Sequence, residues 1–411
     1  MNVTYLLGAG SSHTYNSSAS GIQLPLANDF FSTYSNLPIS EDFDVRMGDI
    51  ANYVRDVHGI PWERFNSFNM NVEAFMTELD EKIRLLADKI KKGVITDEER
   101  GNFYSWVRAY DQMIFLFAHV LNETQNGPVS SEYQKLLAKC DNSDTLVTLN
   151  WDTLLDRAMF ESKKWTPDTG YGVAFRDILD TEWRKPKSDR SEILLLKLHG
   201  STNWLVNYVS RHLTTGERVM MTAIPEKNKV MTQLNMGFSI TETGLKVNPT
   251  TEIKKWGARP IPSAGELAAT PCCFLKCPKW FRTYANRYRP GYQDLSYFFP
   301  PNNPLDDIPL MPLIVPPTSF KLYDEFKHVL DPLWKLAQER ISTSQRIVII
   351  GYSFPPTDRR MIDLLTSIAY RTSDISIEIV NPSPVQIIKR LTLELGIEPK
   401  HVANGFVEYL G

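Results

Sequence analysis

A His-Gly pair at 199–200, an Asn-Trp-Asp triplet at 150–152 and a Gly-Ala-Gly-Ser-Ser run at 8–12 are the residues best suited to chemistry in this 411-residue chain. A Gly-x-Gly directly after an apolar run lets backbone N–H groups approach a phosphate closely. Gly8, Ala9, Gly10, Ser11 and Ser12 are therefore candidates for holding a nucleotide pyrophosphate. The third glycine of the dehydrogenase-type fingerprint is missing, and position 13 is His. His199 is a candidate general base, because imidazole exchanges its proton near neutral pH. Asn150 and Asp152 follow an apolar run, where ligands bind in open α/β sheets. The competing reading makes Asp152 a helix cap and leaves Asn150 in a turn. Two further polar clusters follow apolar runs, Gly351-Tyr352-Ser353 and Asn381-Pro382.

Five short apolar runs position these residues: Val3 to Leu7, Thr145 to Leu149, Ile193 to Leu198, Arg346 to Ile350, and Ile375 to Val380. Their apolar residues are consecutive and not alternating, which predicts strands buried on both faces of a parallel sheet. If the strands are parallel, all five polar clusters converge on one rim. Helical stripes lie between them. One runs through Val72, Phe75, Met76, Leu79, Ile83, Leu86 and Ile90, and another through Phe103, Trp106, Tyr110, Met113, Ile114, Phe117 and Leu121. Shorter ones run through Met361, Leu364, Leu365 and Ile368, and onward from Val385. The prediction is one domain over 1–411, an α/β doubly wound, mostly parallel Rossmann-like sheet. Residues 40–140 form a helical insertion. Residues 205–317 form a proline-rich irregular subdomain, with twelve prolines between Pro260 and Pro317.

Taken together, GAGSS at 8–12, TLNWD at 148–152, the His199-Gly200 pair, GYS at 351–353 and Asn381 resemble the sirtuin family in type and order. The strings TLNWDTLLDRA, KLHGSTNW and IVIIGYSFPPTDRRMIDLL are more similar to the divergent prokaryotic sirtuin-like group of anti-phage defence proteins. That resemblance implies an NAD+ glycohydrolase, with NAD as substrate. Gly8, Ala9, Gly10, Ser11 and Ser12 would line the pyrophosphate, and Asn150 and Asp152 would hold the nicotinamide-ribose end. His199 would be the base, and Gly351, Ser353 and Asn381 would hold the adenosine half. It further implies gating by homo-oligomerisation or by a separately encoded partner, such as a HerA-like ATPase or a short Argonaute-type protein.

The chain departs from the deacylating members. Their structural zinc is held by two Cys-x-x-Cys pairs, whereas here Cys272, Cys273 and Cys277 cluster without a second pair, so no zinc is expected. After His199-Gly200 the chain reads Ser201-Thr202-Asn203-Trp204, without a peptide-clamping segment. Two alternatives come from other classes: a non-hydrolytic NAD or ADP-ribose sensor, and a nucleic-acid-processing subunit. The second rests on Lys279 to Tyr292, which interleaves four cations with five aromatics. The same run also reads as subdomain core with snorkelling arginines. The charged loop Arg184-Lys185-Pro186-Lys187 reads as a solvated turn.

Composition bounds the rest. Hydrophobic residues are 42% and charged residues 23%, which excludes a disordered chain. The net charge of −3 supplies no global field for nucleic acid. Met113 to Ala118, the densest apolar stretch, is far shorter than the ~20 residues of a membrane span. Of four cysteines, Cys140 stands alone, so no disulfide framework is built. MNVTYLLGAG has no basic n-region or cleavage site, and a cytoplasmic protein without membrane association is expected.

Overall fold

The structure is a computed structural model describing residues 2–18, 20–37, 48–125, 127–173, 175–178, 191, 193–207, 310–319, 321, 326–355, 357–369 and 375–411, with short strands between 209 and 247. Six parallel strands make the central sheet: β1 (Val3–Leu7), β2 (Thr145–Thr148), β3 (Leu194–Lys197), β4 (Arg346–Ile350), β5 (Ser376–Val380) and β6 (Lys400–Ala403). Their spatial order is 3-2-1-4-5-6, the doubly wound order whose switch point lies between β1 and β4. All five apolar runs of the sequence became strands. Every residue of β1 and β2 is buried, as consecutive apolar patterning requires of central strands.

Helices fill the space between β1 and β2: α1 (Ala9–His13), α2 (Phe30–Asn36), α3 (Gly48–His58), α4 (Val72–Lys91), α5 (Asp97–Gln125) and α6 (Ser131–Lys139). Asn71 starts α4 by accepting the N–H groups of Glu73 and Ala74. From there Val72, Phe75, Met76, Leu79 and Ile83 run buried along one face. Each such side chain contributes roughly 1.5–3 kcal/mol by leaving water. Further helices are α7 (Leu154–Glu161), α8 (Lys327–Thr343), α9 (Arg359–Ala369), α10 (Pro384–Leu395) and α11 (Phe406–Leu410). Helices α8, α9 and α10 pack in succession, while α6 packs against both α7 and α11. Among the described residues no helix is long and apolar enough to cross a membrane.

A second, four-stranded sheet has the order Leu310–Ile314, Gly200–Asn207, Val230–Thr232 and Phe175–Ile178. Two of its strands, Val230–Thr232 and Leu310–Ile314, lie inside the stretch expected to be irregular, and Gly200–Asn207 runs into it. That expectation rested on proline density, yet between 205 and 247 the only proline is Pro225. Pro312 sits in an edge strand, beside a register shift, where a missing N–H is tolerated. The segment 248–309 lies outside the described residues. So do Cys272, Cys273 and Cys277, the basic-aromatic run 279–292, and Arg184 to Lys187.

Candidate functional site

All the sequence-predicted site residues follow the C-terminal ends of parallel strands, so they share one rim. The turn after β1 is packed directly on the turn after β4. Gly8 N–H donates to Ile350 O and Gly10 N–H to Gly351 O, both at 2.9 Å. A Cβ on Gly8 would stand 2.6 Å from Tyr352 Cα, and one on Gly10 would stand 2.9 Å from Gly351 Cα. These glycines are thus required for backbone-on-backbone packing at the switch point. Ala9 is exposed at the tip of the turn, while Ser11 and Ser12 are buried.

The serines are buried because they are bonded. Ser11 Oγ donates to Gly8 O at 2.7 Å, and the Tyr133 hydroxyl of α6 lies 3.0 Å from Ser11 Oγ and 2.9 Å from Ser12 Oγ. Burial holds the Tyr133 phenol far above its ordinary range, so it stays protonated and can donate to these hydroxyls. Nothing in the sequence marks Tyr133, which reads as an ordinary helix-face aromatic.

Asn150 closes this cluster from β2. Its Nδ2 donates to Gly8 O at 2.9 Å and to Ser12 Oγ at 3.0 Å. A carbonyl only accepts, so the contact with Gly8 O fixes which end of the amide is nitrogen. Oδ1 must then face away, and among the described residues it has no hydrogen-bond partner. Thr148 Oγ1 sets the backbone beneath, donating to Leu7 O and accepting Asn150 N–H. Asp152 is buried, and its Oδ1 accepts the Leu154 N–H at 3.0 Å, a turn bond leading into α7, whose N-cap position is Thr153 and not Asp152. Burial raises its pKa, opposed by the charge of Lys197 and the Ser12 hydroxyl. Asp152 therefore shapes the loop from within.

His199 occupies a tight turn after β3. Gly200, at φ +78°, lets the chain reverse; a Cβ there would also meet Leu313 O at 2.1 Å. The turn is bound to the Asn150 loop: Trp151 O accepts from Thr202 N–H at 2.9 Å, Thr202 Oγ1 at 3.0 Å and Ser201 Oγ at 3.2 Å. The Ser-Thr pair after His-Gly is thus a backbone tie. His199 is 5% exposed. Burial, then the charges of Lys321 and Arg360, hold its pKa well below the usual histidine range. Its imidazole is neutral at neutral pH, the form that can accept a proton.

On the far side of the switch point, Tyr352 is buried and Ser353 exposed. Ser353 makes no hydrogen bond among the described residues. Phe354 is held at φ +53°, a strained backbone for a bulky residue, with the Arg390 guanidinium donating to its carbonyl. Gly351 N–H reaches Val380 O at 3.0 Å, which ties this loop to the end of β5. Beside it, Asn381 Oδ1 accepts the Ser383 N–H at 2.9 Å, so its side chain serves the turn into α10.

The structure thus binds Gly8 to Ser12, Asn150, Asp152 and the His199 turn into one assembly, with Gly351 packed against it. Ser353 and Asn381 stand at its margin. Sequence reasoning passed over Asp358, which lies 3.6 Å (Oδ1) from His199 Nε2, and Lys321, which is ion-paired to Asp358. Asp358 follows the GYS motif by five residues; Lys321 carries no local signal. Among the described residues no group of three or more His, Cys, Asp or Glu side chains is arranged to hold a metal ion. No family model matches the chain, and neither does any curated protein.

Proposed function

We propose that this chain is a sirtuin-like NAD+ glycohydrolase that cleaves the nicotinamide–ribose bond to release nicotinamide and ADP-ribose. The observation that carries the reading is the Asn150 amide at the end of β2, locked by Gly8 O and Ser12 with Oδ1 left open, and so bonded to the β1 turn at the switch point of a 3-2-1-4-5-6 sheet. Dinucleotides bind doubly wound sheets at that point. The bond breaks with its electron pair going to nicotinamide, which leaves neutral, while positive charge develops on the ribose. Asn150 Oδ1 can order a ribose hydroxyl or the attacking water without adding a charge of its own. Neutral His199 can take the proton that water loses as its oxygen bonds to the ribose carbon.

A chain that hydrolysed free NAD without restraint would deplete its host. The proposal therefore includes gating by self-assembly or by a separately encoded partner, and a role as effector in anti-phage defence. That part rests on family resemblance alone. The test incubates purified chain with NAD, alone and with its genomic neighbour, and separates nicotinamide, ADP-ribose and cyclic ADP-ribose. Equal release of nicotinamide and ADP-ribose is expected. NAD binding without release under every condition would favour a non-hydrolytic sensor and overturn the proposal.

A further inference from the structure

His199 and Asp358 meet although the strands carrying them are three places apart, since β3, β2, β1 and β4 are successive neighbours. Three strand spacings amount to about 14 Å. The two loops must therefore span the positions of β2 and β1 between them to meet. Their meeting point is a buried charged cluster. The side chains of His199, Asp358 and Lys321 are only 5–6% exposed. Lys321 is ion-paired to Asp358 Oδ1, the same oxygen that faces His199 Nε2. Tyr352 donates its hydroxyl to Asp358 Oδ2 at 2.6 Å. Glu73, in the first turn of α4, acts on Lys321 and accepts from Thr357 Oγ1 at 3.4 Å. Arg360, paired with Asp331 and stacked over Trp334, adds a further positive charge that acts on His199.

We propose that Asp358 is the positioning residue of His199, holding Nε2 as the protonated nitrogen so that Nδ1 carries the basic lone pair, with Lys321 restraining the Asp358 charge. The inference rests on the reading of His199 as a base. A carboxylate accepts and cannot donate, so an Nε2 facing it is the nitrogen that keeps the hydrogen. Asp358 alone would also favour the imidazolium, which cannot accept a proton. Lys321 on the same oxygen counters that pull. This division separates two jobs: Asp358 sets the tautomer, and Lys321 keeps the ring unprotonated. Burial presses Lys321 down to about 8, with Glu73 pulling it back up, so the cation is present at neutral pH.

The test is nitrogen NMR of histidine-labelled protein, with His199 assigned by difference against His199→Gln among the seven histidines. At pH 7 the wild type is expected to show the neutral Nε2–H tautomer. Lys321→Met should raise the His199 titration midpoint by about one pH unit or more, as an unscreened carboxylate does. Lys321→Arg should restore the wild-type midpoint. An Nδ1–H tautomer in the wild type would overturn the proposal, as would an unchanged midpoint in folded Lys321→Met. Should Lys321→Met fail to fold, the wild-type tautomer still decides. None of these signals needs NAD turnover, so failure of the glycohydrolase reading and failure of this one are distinguishable.

Discussion

The Gly8 carbonyl accepts the Asn150 amide at 2.9 Å, so the turn after β1 and the end of β2 form one piece. Gly8 also abuts Tyr352 of the β4 loop, which makes a single residue the junction of three strand ends. The rim is thereby organised before any ligand arrives, and preorganised dipoles need no rearrangement during reaction.

Gly8→Ala is expected to damage this junction. Its Cβ would press on Tyr352 Cα at 2.6 Å and Gly351 O at 2.7 Å, which are backbone atoms that cannot swing aside. Overpacking of this kind costs about 1–3 kcal/mol. Urea unfolding should show the loss, with NAD binding weakened in molecules that remain folded. A variant as stable as wild type would show that the two loops separate freely.

Lys197, two residues before His199, tests a different layer. Its Nζ lies 2.9 Å from Asp156 Oδ2, and the two side chains are 1% and 0% exposed. Tyr171 donates its hydroxyl to the same carboxylate, and Lys197 also donates to Asp152 O. Lys197→Met leaves Asp156 buried and uncompensated, which costs about 3–5 kcal/mol. Lys197→Met with Asp156→Leu should cost less than the single change, since no charge is stranded. A double variant less stable than Lys197→Met would contradict this account of the pair.

Stability should also fall in mild acid because His199 is buried neutral. Its folded pKa is well below 6.5, so above pH 6.5 neither folded nor unfolded chain protonates it and it contributes no pH dependence. Below 6.5 the unfolded chain takes up the proton first, and stability drops by up to about 1.4 kcal/mol per pH unit for this one group. Comparing wild type with His199→Gln at pH 7 and pH 5.5 isolates the effect. The wild type should lose more stability than the variant over that interval; equal losses would mean that His199 protonates in place.

Much of this architecture was legible in the residues. Val3 to Leu7 and Arg346 to Ile350 are continuous apolar runs, and only strands buried on both faces need them. The sixth strand, Lys400–Ala403, escaped notice because it is a short edge strand with its first three residues exposed, so burial left no pattern there. At the site, Gly8, Asn150 and His199 could be picked out because strand-end polar residues stand apart from apolar neighbours. Tyr133, Lys321 and Asp358 could not, since their roles depend on contacts across the fold. Tyr133 meets residues 121 and 122 positions away, and Lys321 approaches a carboxylate on a separate loop. Asn381 was expected at the adenosine end, but its turn bond to Ser383 is equally what an Asn-Pro sequence produces.

The central claim is that Asn150 and His199 carry out NAD cleavage, and NAD turnover measured with the thermal midpoint on the same sample tests it most directly. Asn150→Ala removes two hydrogen bonds, at about 1 kcal/mol each, so a modest fall in midpoint is expected. His199→Ala leaves Gly200 and the Trp151 ties in place, and loss of a general base lowers turnover by about 10²–10⁴-fold. The account predicts that both variants stay folded, bind NAD and lose turnover per folded molecule to that degree. Turnover near the wild-type rate in either folded variant would contradict it.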